Sequence, residues 1–363
     1  MIRTKFLVET SDNLCLGVNW VKLIILILKN KMNTNQIVLA SRPKGMPQLA
    51  DFRFENVELP KLKAGELLLK PLCFSVDPYM RGRMNDAKSY IQAFKTDKPI
   101  EGSALATVME SKSDLFKSGD IVLGMLPWRE STIISDKGLQ KVDATQQPLS
   151  YYLSVLGMTG ITAYIGLMHI CKPLAGETVV VSGAAGAVGI VVGQIAKIQG
   201  CRVVGITGSE EKVKLLVEKF GFDEAINYKT TKYVNKAIAT ICNDGVDIYF
   251  DNVGGNISDA VISNLNVQSR IAVCGQIALY NSTDIPVGPR IQPTLLTKNV
   301  MMQGFTVGNY KSEFPEAIEH LTQWVHEGRI DFTESIISGF DQLPTAFIGL
   351  FNGENIGKMI VKI

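Results

Sequence analysis

From residue 179 onward the sequence alternates between two textures, and this limits the fold more than any other feature. Short apolar runs read as strands at 179–183 (VVVSG), 202–207 (RVVGIT), 224–228 (EAINY), 246–253 (VDIYFDNV), 270–275 (RIAVCG) and 300–307 (VMMQGFTV). Helix-like stretches lie between the first of them, at 187–199 and 210–220, with Gly221 placed to cap the second. Parallel strands need a long crossover, and a helix supplies it while covering one face of the sheet. The alternation therefore predicts an α/β, doubly wound parallel sheet.

Residues 32–149 read differently. QIVLASRPKGMP, GELLLKPLCFSV and GDIVLGMLPW are β-rich runs broken by Gly, Pro, Asp and Asn, with no sustained helical period. Near the C-terminus EFPEAIEHLTQWVHEG is an amphipathic helix followed by short mixed elements. The expected organisation is a mainly β domain from 32–150 plus 311–363, and a doubly wound domain from 151–310. Residues 1–31 stand apart as an atypical extension, and domain sequence is expected to begin near Met32. Their apolar run is unbroken only from 23–28, with Lys29 and Lys31 after it and no small-residue cleavage pattern. A spanning helix needs about 20 apolar residues. A docked helix or signal anchor is the other reading of this stretch.

Composition removes several classes of function. A formal net charge of +2 gives no footprint for nucleic acid or an anionic membrane. Six cysteines without a C-x-x-C pair fit a reducing, cytoplasmic setting and not a disulfide framework. His169, His320 and His326 occupy no H-E-x-x-H or Cys-paired spacing, so no metal site is expected and they read as structural.

The loop in VVVSGAAGAVGIVVGQIAK, 179–197, nearly spells the dinucleotide fingerprint G-x-G-x-x-G. Gly186 and Gly189 hold its second and third places, and Ala184 stands in the first, with Gly183 just before it. The second glycine lets backbone approach a pyrophosphate, and the third lets helix pack on strand. Backbone N–H groups of Ala187 and Val188 then face the phosphates at a helix N-terminus. The plainer reading is a tight strand-to-helix turn. NAD sites carry an acid about 20 residues on to bind the ribose 2′-hydroxyl. Here Thr207 stands in that place, followed by Gly208, Ser209 and Lys212. A missing carboxylate, a lysine within reach and Tyr228 ending the third strand favour NADP(H).

These motifs, with SVDPYMRGRM, LGMTGITAYIGL, DNVGG, RIAVCGQIALYN, MQGFTV and FIGLFNGENIGK, make the sequence resemble the zinc-independent medium-chain dehydrogenase/reductases. More narrowly it is similar to the leukotriene hydroxydehydrogenase, prostaglandin and alkenal double-bond reductase group, curcumin reductases included. The resemblance runs from about Asn33 to the C-terminus and implies a GroES-like β domain, a Rossmann domain and a homodimer. It implies that Gly186–Gly189 carry the pyrophosphate and that Lys212 with Tyr228 hold the 2′-phosphate. It also implies that Asn252, Cys274, Gly275 and the stretch to Tyr280, with Phe305, Thr306 and Val307, line the nicotinamide. Asn355 is implied to reach in from the C-terminal segment, and Met158 and Thr159 to face the cofactor.

The chemistry so implied is hydride addition to the β-carbon of an enone or alkenal. Such a reaction needs a hydrogen-bond donor for the carbonyl oxygen and a proton for the α-carbon. Tyr280 is the donor the motif suggests, and Tyr79 is a second candidate whose other reading is a packing tyrosine. Arg81 and Arg83 read as ion-pair or rim residues. A quinone reductase of the same fold, an allylic-alcohol dehydrogenase and a non-catalytic NADPH-binding protein remain alternatives at this point.

Overall fold

The computed structural model describes residues 32–145 and 148–363. The expectations for residues 1–31 fall outside the described residues.

The chain opens with an antiparallel hairpin, β1 Asn33–Leu39 and β2 Phe52–Glu58. β3 Glu66–Ser75 follows, and buries Leu67 and Leu69 on one face as strand alternation requires. Its Pro71, which has no N–H to donate, sits at a shift of register against the next strand. The short helix α1 Tyr79–Arg83 leads to β4 Glu101–Ser111, β5 Ile121–Pro127, β6 Thr132–Ser135 and β7 Gln140–Lys141. Within this domain Trp128 is fully buried and stacks on Phe52 at 6.2 Å.

α2 Met158–Tyr164 begins the second domain's core. The doubly wound unit runs β8 Thr178–Ser182, α3 Ala187–Ile198, β9 Arg202–Thr207, α4 Glu210–Glu218, β10 Glu224–Asn227, α5 Val234–Ile241, β11 Val246–Asp251, α6 Gly255–Ile262 and β12 Leu265–Val273. It closes with α7 Gln292–Thr297 and β13 Met301–Gly304. All six strands are parallel, in the order β10-β9-β8-β11-β12-β13. Every residue of β8 is buried, as expected for a strand covered on both faces. The strand order reverses between β8 and β11, so their C-terminal ends frame the crevice where ligands of such sheets bind.

α8 Phe314–His326 differs from the domain division expected above. Its Ala317, Leu321 and Trp324 form one buried stripe that joins Tyr164 of α2 in the doubly wound domain's core. The Tyr164 hydroxyl donates to Glu316 at 2.7 Å and lies 2.6 Å from His320 Nδ1, so His320 is a packing residue here. The return to the first domain comes after this helix. β14 Glu334–Ser338 and β15 Lys358–Lys362 enter the first sheet as β14-β15-β3-β4-β5-β7, and α9 Leu343–Asn352 packs Phe347 on the Phe52 ring. Among the described residues no helix is long and apolar enough to cross a membrane.

Candidate active site

The glycine loop is built from backbone. Gly183 turns with φ +60°, and Gly186 is the extended residue that starts α3. A Cβ on Gly189 would lie 2.5 Å from the Gly183 carbonyl and 2.7 Å from Ala184 Cα, so only glycine lets α3 sit on the loop. Ala184 is fully buried, and a Cβ on Gly205 would come within 3.0 Å of its methyl. Ala184 thus fills the space between loop and β9. The first N–H groups of α3, at Ala187 and Val188, belong to the helix terminus that lacks intrahelical partners.

Beyond β9, Ser209 caps α4 by accepting the Lys212 N–H at 3.3 Å. The half-buried Lys212 ammonium donates to the Gly353 carbonyl at 2.7 Å. Burial lowers its pKa first, and the charge of Lys229 lowers it further. A Cβ on Gly208 would stand 3.3 Å from both the Tyr228 hydroxyl and Lys229 Cε. Tyr228 and Lys229 therefore flank one glycine corner, Lys212 lies within reach of the Lys229 charge, and two cations that repel each other suit a phosphate. The nearby acid, Glu210, is occupied by Asn227 and Thr230 at 2.7 and 3.0 Å. Lys229 was not singled out from the sequence, although it directly follows Tyr228.

The C-terminal segment closes on this loop. Gly357 donates its N–H to the Ala185 carbonyl at 2.8 Å and bridges Gly186. Asn355 turns its amide back onto the Gly357 carbonyl at 2.7 Å, shaping the turn that meets the phosphate loop.

At the switch point the buried Asp251 carboxylate gathers the ends of two strands. Its Oδ1 accepts from Tyr249 and Ser182 hydroxyls and from the N–H groups of Val253 and Gly254. Its Oδ2 accepts from Ser258 at 2.8 Å. Asn252 donates to the Ser182 carbonyl at 2.8 Å, tying β11 to β8. Cys274 and Gly275 donate their N–H groups to the Asp251 carbonyl at 2.8 and 3.1 Å. Gly275 leaves room for Tyr280, whose hydroxyl would lie 3.2 Å from a Cβ there. That hydroxyl accepts the Gln276 N–H at 3.2 Å. Burial raises the Tyr280 phenol above its ordinary pKa and pushes the Cys274 thiol up to about 12.

In the β domain Tyr79 packs against that domain's own core. Burial, then the Asp77 carboxylate, holds the Tyr79 phenol protonated. The Tyr90 phenol, on an exposed side chain, is raised by partial burial and then by the charges of Tyr280 and Cys274. Tyr90 is a second residue that sequence reading passed over; it lies in a loop with no motif. Arg83 is structural as expected, stacked 4.0 Å over Phe94 and ion-paired with Glu101 at 3.3 Å.

The other expected residues divide between groove and core. Thr159 donates its hydroxyl to the Ser154 carbonyl at 2.8 Å, and Met158 is exposed at the start of α2. The Phe305 ring packs edge-on to Phe250 and Tyr310, and Val307 joins the same core, so their side chains are committed to packing. The Thr306 carbonyl accepts the Asn309 N–H at 3.0 Å.

A doubly wound sheet with a glycine loop at its switch point, joined to a β domain, defines a two-domain, dinucleotide-dependent oxidoreductase. Comparison with known proteins narrows the class. Residues 35–142 match a family model described as the N-terminal domain of oxidoreductase, and 187–323 match one described as zinc-binding dehydrogenase. YfmJ of Bacillus subtilis is 52% identical over 90% of this chain and 97% of its own. An NADP(+)-dependent 2-alkenal reductase of Nicotiana tabacum is 43% identical over 93% and 99%. The crystal structure of CurA from Vibrio vulnificus in complex with NADPH superposes with a TM-score of 0.86 at 42% identity, covering 90% of this chain and 98% of that one. The chain belongs to the medium-chain dehydrogenase/reductase family, in the group of the alkenal, prostaglandin and curcumin reductases. Among the described residues no three His, Cys, Asp or Glu side chains gather where they could hold a metal ion.

Proposed function

We propose that this chain reduces the C=C bond of α,β-unsaturated aldehydes and ketones with NADPH and without a metal. The observation that carries the reading is the half-buried Tyr280 hydroxyl, kept protonated by its surroundings and held beside Asn252, Cys274 and Gly275. Lys212, Tyr228 and Lys229 support the choice of a 2′-phosphorylated cofactor, and Gly186–Gly189 hold its pyrophosphate. NADPH, when bound, supplies the hydride that goes to the β-carbon. Tyr280 accepts the Gln276 N–H through its oxygen, which leaves its own proton to donate to the substrate carbonyl as negative charge develops there. Tyr90 shapes the wall opposite, and solvent water supplies the α-carbon proton.

Tyr280→Phe is expected to lower enone turnover at least tenfold, the scale set by loss of one donor to a developing charge. NADPH affinity, read by fluorescence titration, should stay the same. Wild-type turnover in that variant would remove the role of Tyr280. NADPH consumption with benzoquinones but with no enone or alkenal would replace the reading with a quinone reductase.

The same reading includes a homodimer in the reducing cytoplasm. The edge strand β13 exposes Met302, and the preceding segment exposes Ile285, Val287 and Leu296 at 90%, 93% and 78%. A second copy pairing along this edge would cover them. Light scattering that gives a monomer mass would exclude it. The five described cysteines are all free thiols, in keeping with that compartment.

A further inference from the structure

Arg81 is 3% exposed, yet among the described residues no carboxylate lies within ion-pair distance of it. Its guanidinium is shared among neutral oxygens instead. Nε donates to Asn281 Oδ1 at 2.9 Å and Nη1 to Asn85 Oδ1 at 2.6 Å. Nη2 donates to the carbonyls of Pro43 and Gly45 at 3.2 and 2.9 Å. Three of these acceptors belong to the β domain, and the fourth follows Tyr280 directly in the other domain. The Asp51 carboxylate acts on it only from beyond ion-pair distance, and a well-packed apolar side chain would fill the place at less cost. What only arginine supplies is a rigid fork that fixes several acceptors at once.

The object so fixed is the end of the Tyr280 loop. On its upstream side Ile277 and Ala278 donate N–H groups to the carbonyls of Asn252 and Val253. Downstream, Asn281 is the last residue with such an anchor before an exposed run at 282–290. Asn281 also donates to Met46 Sδ at 3.1 Å, and Gly45, at φ +74°, would carry a Cβ 3.6 Å from Thr283 Cγ2. The loop at 43–46 and α1 together grip 281–283 across the domain boundary.

We propose that Arg81 is a positioning residue for the reduction, whose buried fork holds Asn281 and thereby sets the Tyr280 hydroxyl over the cleft. The proposal rests on the role given to Tyr280 above. Displacement of a reacting group by about 1 Å costs up to about a hundredfold in rate. Arg81→Lys, which keeps the charge and loses the fork, and Arg81→Met should each lower kcat for an enone by about tenfold on that scale. KM for NADPH should stay within about twofold, because the phosphate end does not touch Arg81. Asn281→Ala should lower kcat by about fivefold, and Asn281→Asp, which keeps the acceptor, should hold it near wild type. In a Tyr280→Phe background Arg81→Lys should cause no further loss.

Wild-type kcat in Arg81→Lys would overturn the proposal, because charge alone would then suffice. So would a loss that persists in full without the Tyr280 hydroxyl, or an equal shift in KM for NADPH. If Arg81→Met fails to fold, the two Asn281 variants decide, since they leave the guanidinium in place. A fall in kcat for Tyr280→Phe with none for Arg81→Lys or Asn281→Ala defeats this proposal alone. No fall for Tyr280→Phe defeats both.

Discussion

The two ends of the cofactor groove are built on different principles. At the phosphate end the glycine loop is backbone and packing: Gly183, Gly186 and Gly189 make it, and the buried Ala184 methyl braces it against β9. The switch-point end, where we place the nicotinamide, is made of side chains on loops, Tyr280 and Asn252 from one domain and Tyr90 from the other. A binding grip that is the same for every substrate can be local and rigid. A reaction site has to be assembled, and its parts arrive from distant stretches of chain.

One buried pair joins the ends, and breaking it has the largest expected effect. Lys358, 3% exposed, donates to Asp77 at 3.0 Å and to the Val76 carbonyl at 3.0 Å. Asp77 leads into α1, and Gly357 on the other side is bonded to the phosphate loop. Lys358→Met leaves a buried carboxylate without its partner, a defect that costs about 3–5 kcal/mol. Urea denaturation should show a fall of that size, and NADPH affinity and enone KM should worsen together. An unchanged midpoint would mean that the two ends are held independently.

The glycine loop and the corner beyond β9 were readable as a pattern for a physical reason. Residues Gly183 to Tyr228 fall on consecutive strand–helix units, so motif spacing maps directly onto space, whereas Lys229 and the Gly353 carbonyl that meets Lys212 lie outside that run. The sheet was legible because buried parallel strands are continuous apolar runs. The contacts that hold the other end were not. Arg81 meets Asn281 200 residues away, and Lys358 meets Asp77 281 residues away, separations that no local pattern encodes. Motif reading placed Phe305 near the nicotinamide but could not tell that its ring turns into the core. It likewise gave α8 its helical period without saying which domain the apolar stripe would meet.

A smaller effect tests the self-contained character of the phosphate end. Lys212→Ala should raise KM for NADPH about tenfold, and the double variant with Lys229→Ala about a hundredfold. Each charge-assisted bond to phosphate is worth about 1.5–3 kcal/mol. KM for NADH and kcat with saturating NADPH should hardly move, because neither lysine reaches the nicotinamide end. Equal losses with NADH would remove both from the 2′-phosphate, and a fall in kcat would show that the two ends are not separable.

The smallest expected effect is an absence of reaction, and it concerns the side-chain end. An enzyme that binds enones exposes its own groups to Michael acceptors, and a thiolate is the group they alkylate. Cys274 donates its N–H to the Asp251 carbonyl, and burial and then the Asp251 charge push its thiol up to about 12. At pH 8 an ordinary cysteine is roughly a quarter ionised, given a pKa near 8.5. With its thiol at about 12, Cys274 is ionised to about one part in ten thousand. The direction is fixed by burial, which disfavours the charged form and so keeps the proton on. Peptide mapping after iodoacetamide at pH 8 should find Cys274 unmodified while an exposed model thiol reacts fully, with labelling appearing only toward strongly alkaline pH. Ready labelling at pH 8 would place the thiol in water. The low dielectric that also holds the Tyr280 proton would then be absent from the cleft, and the two ends would differ only in architecture.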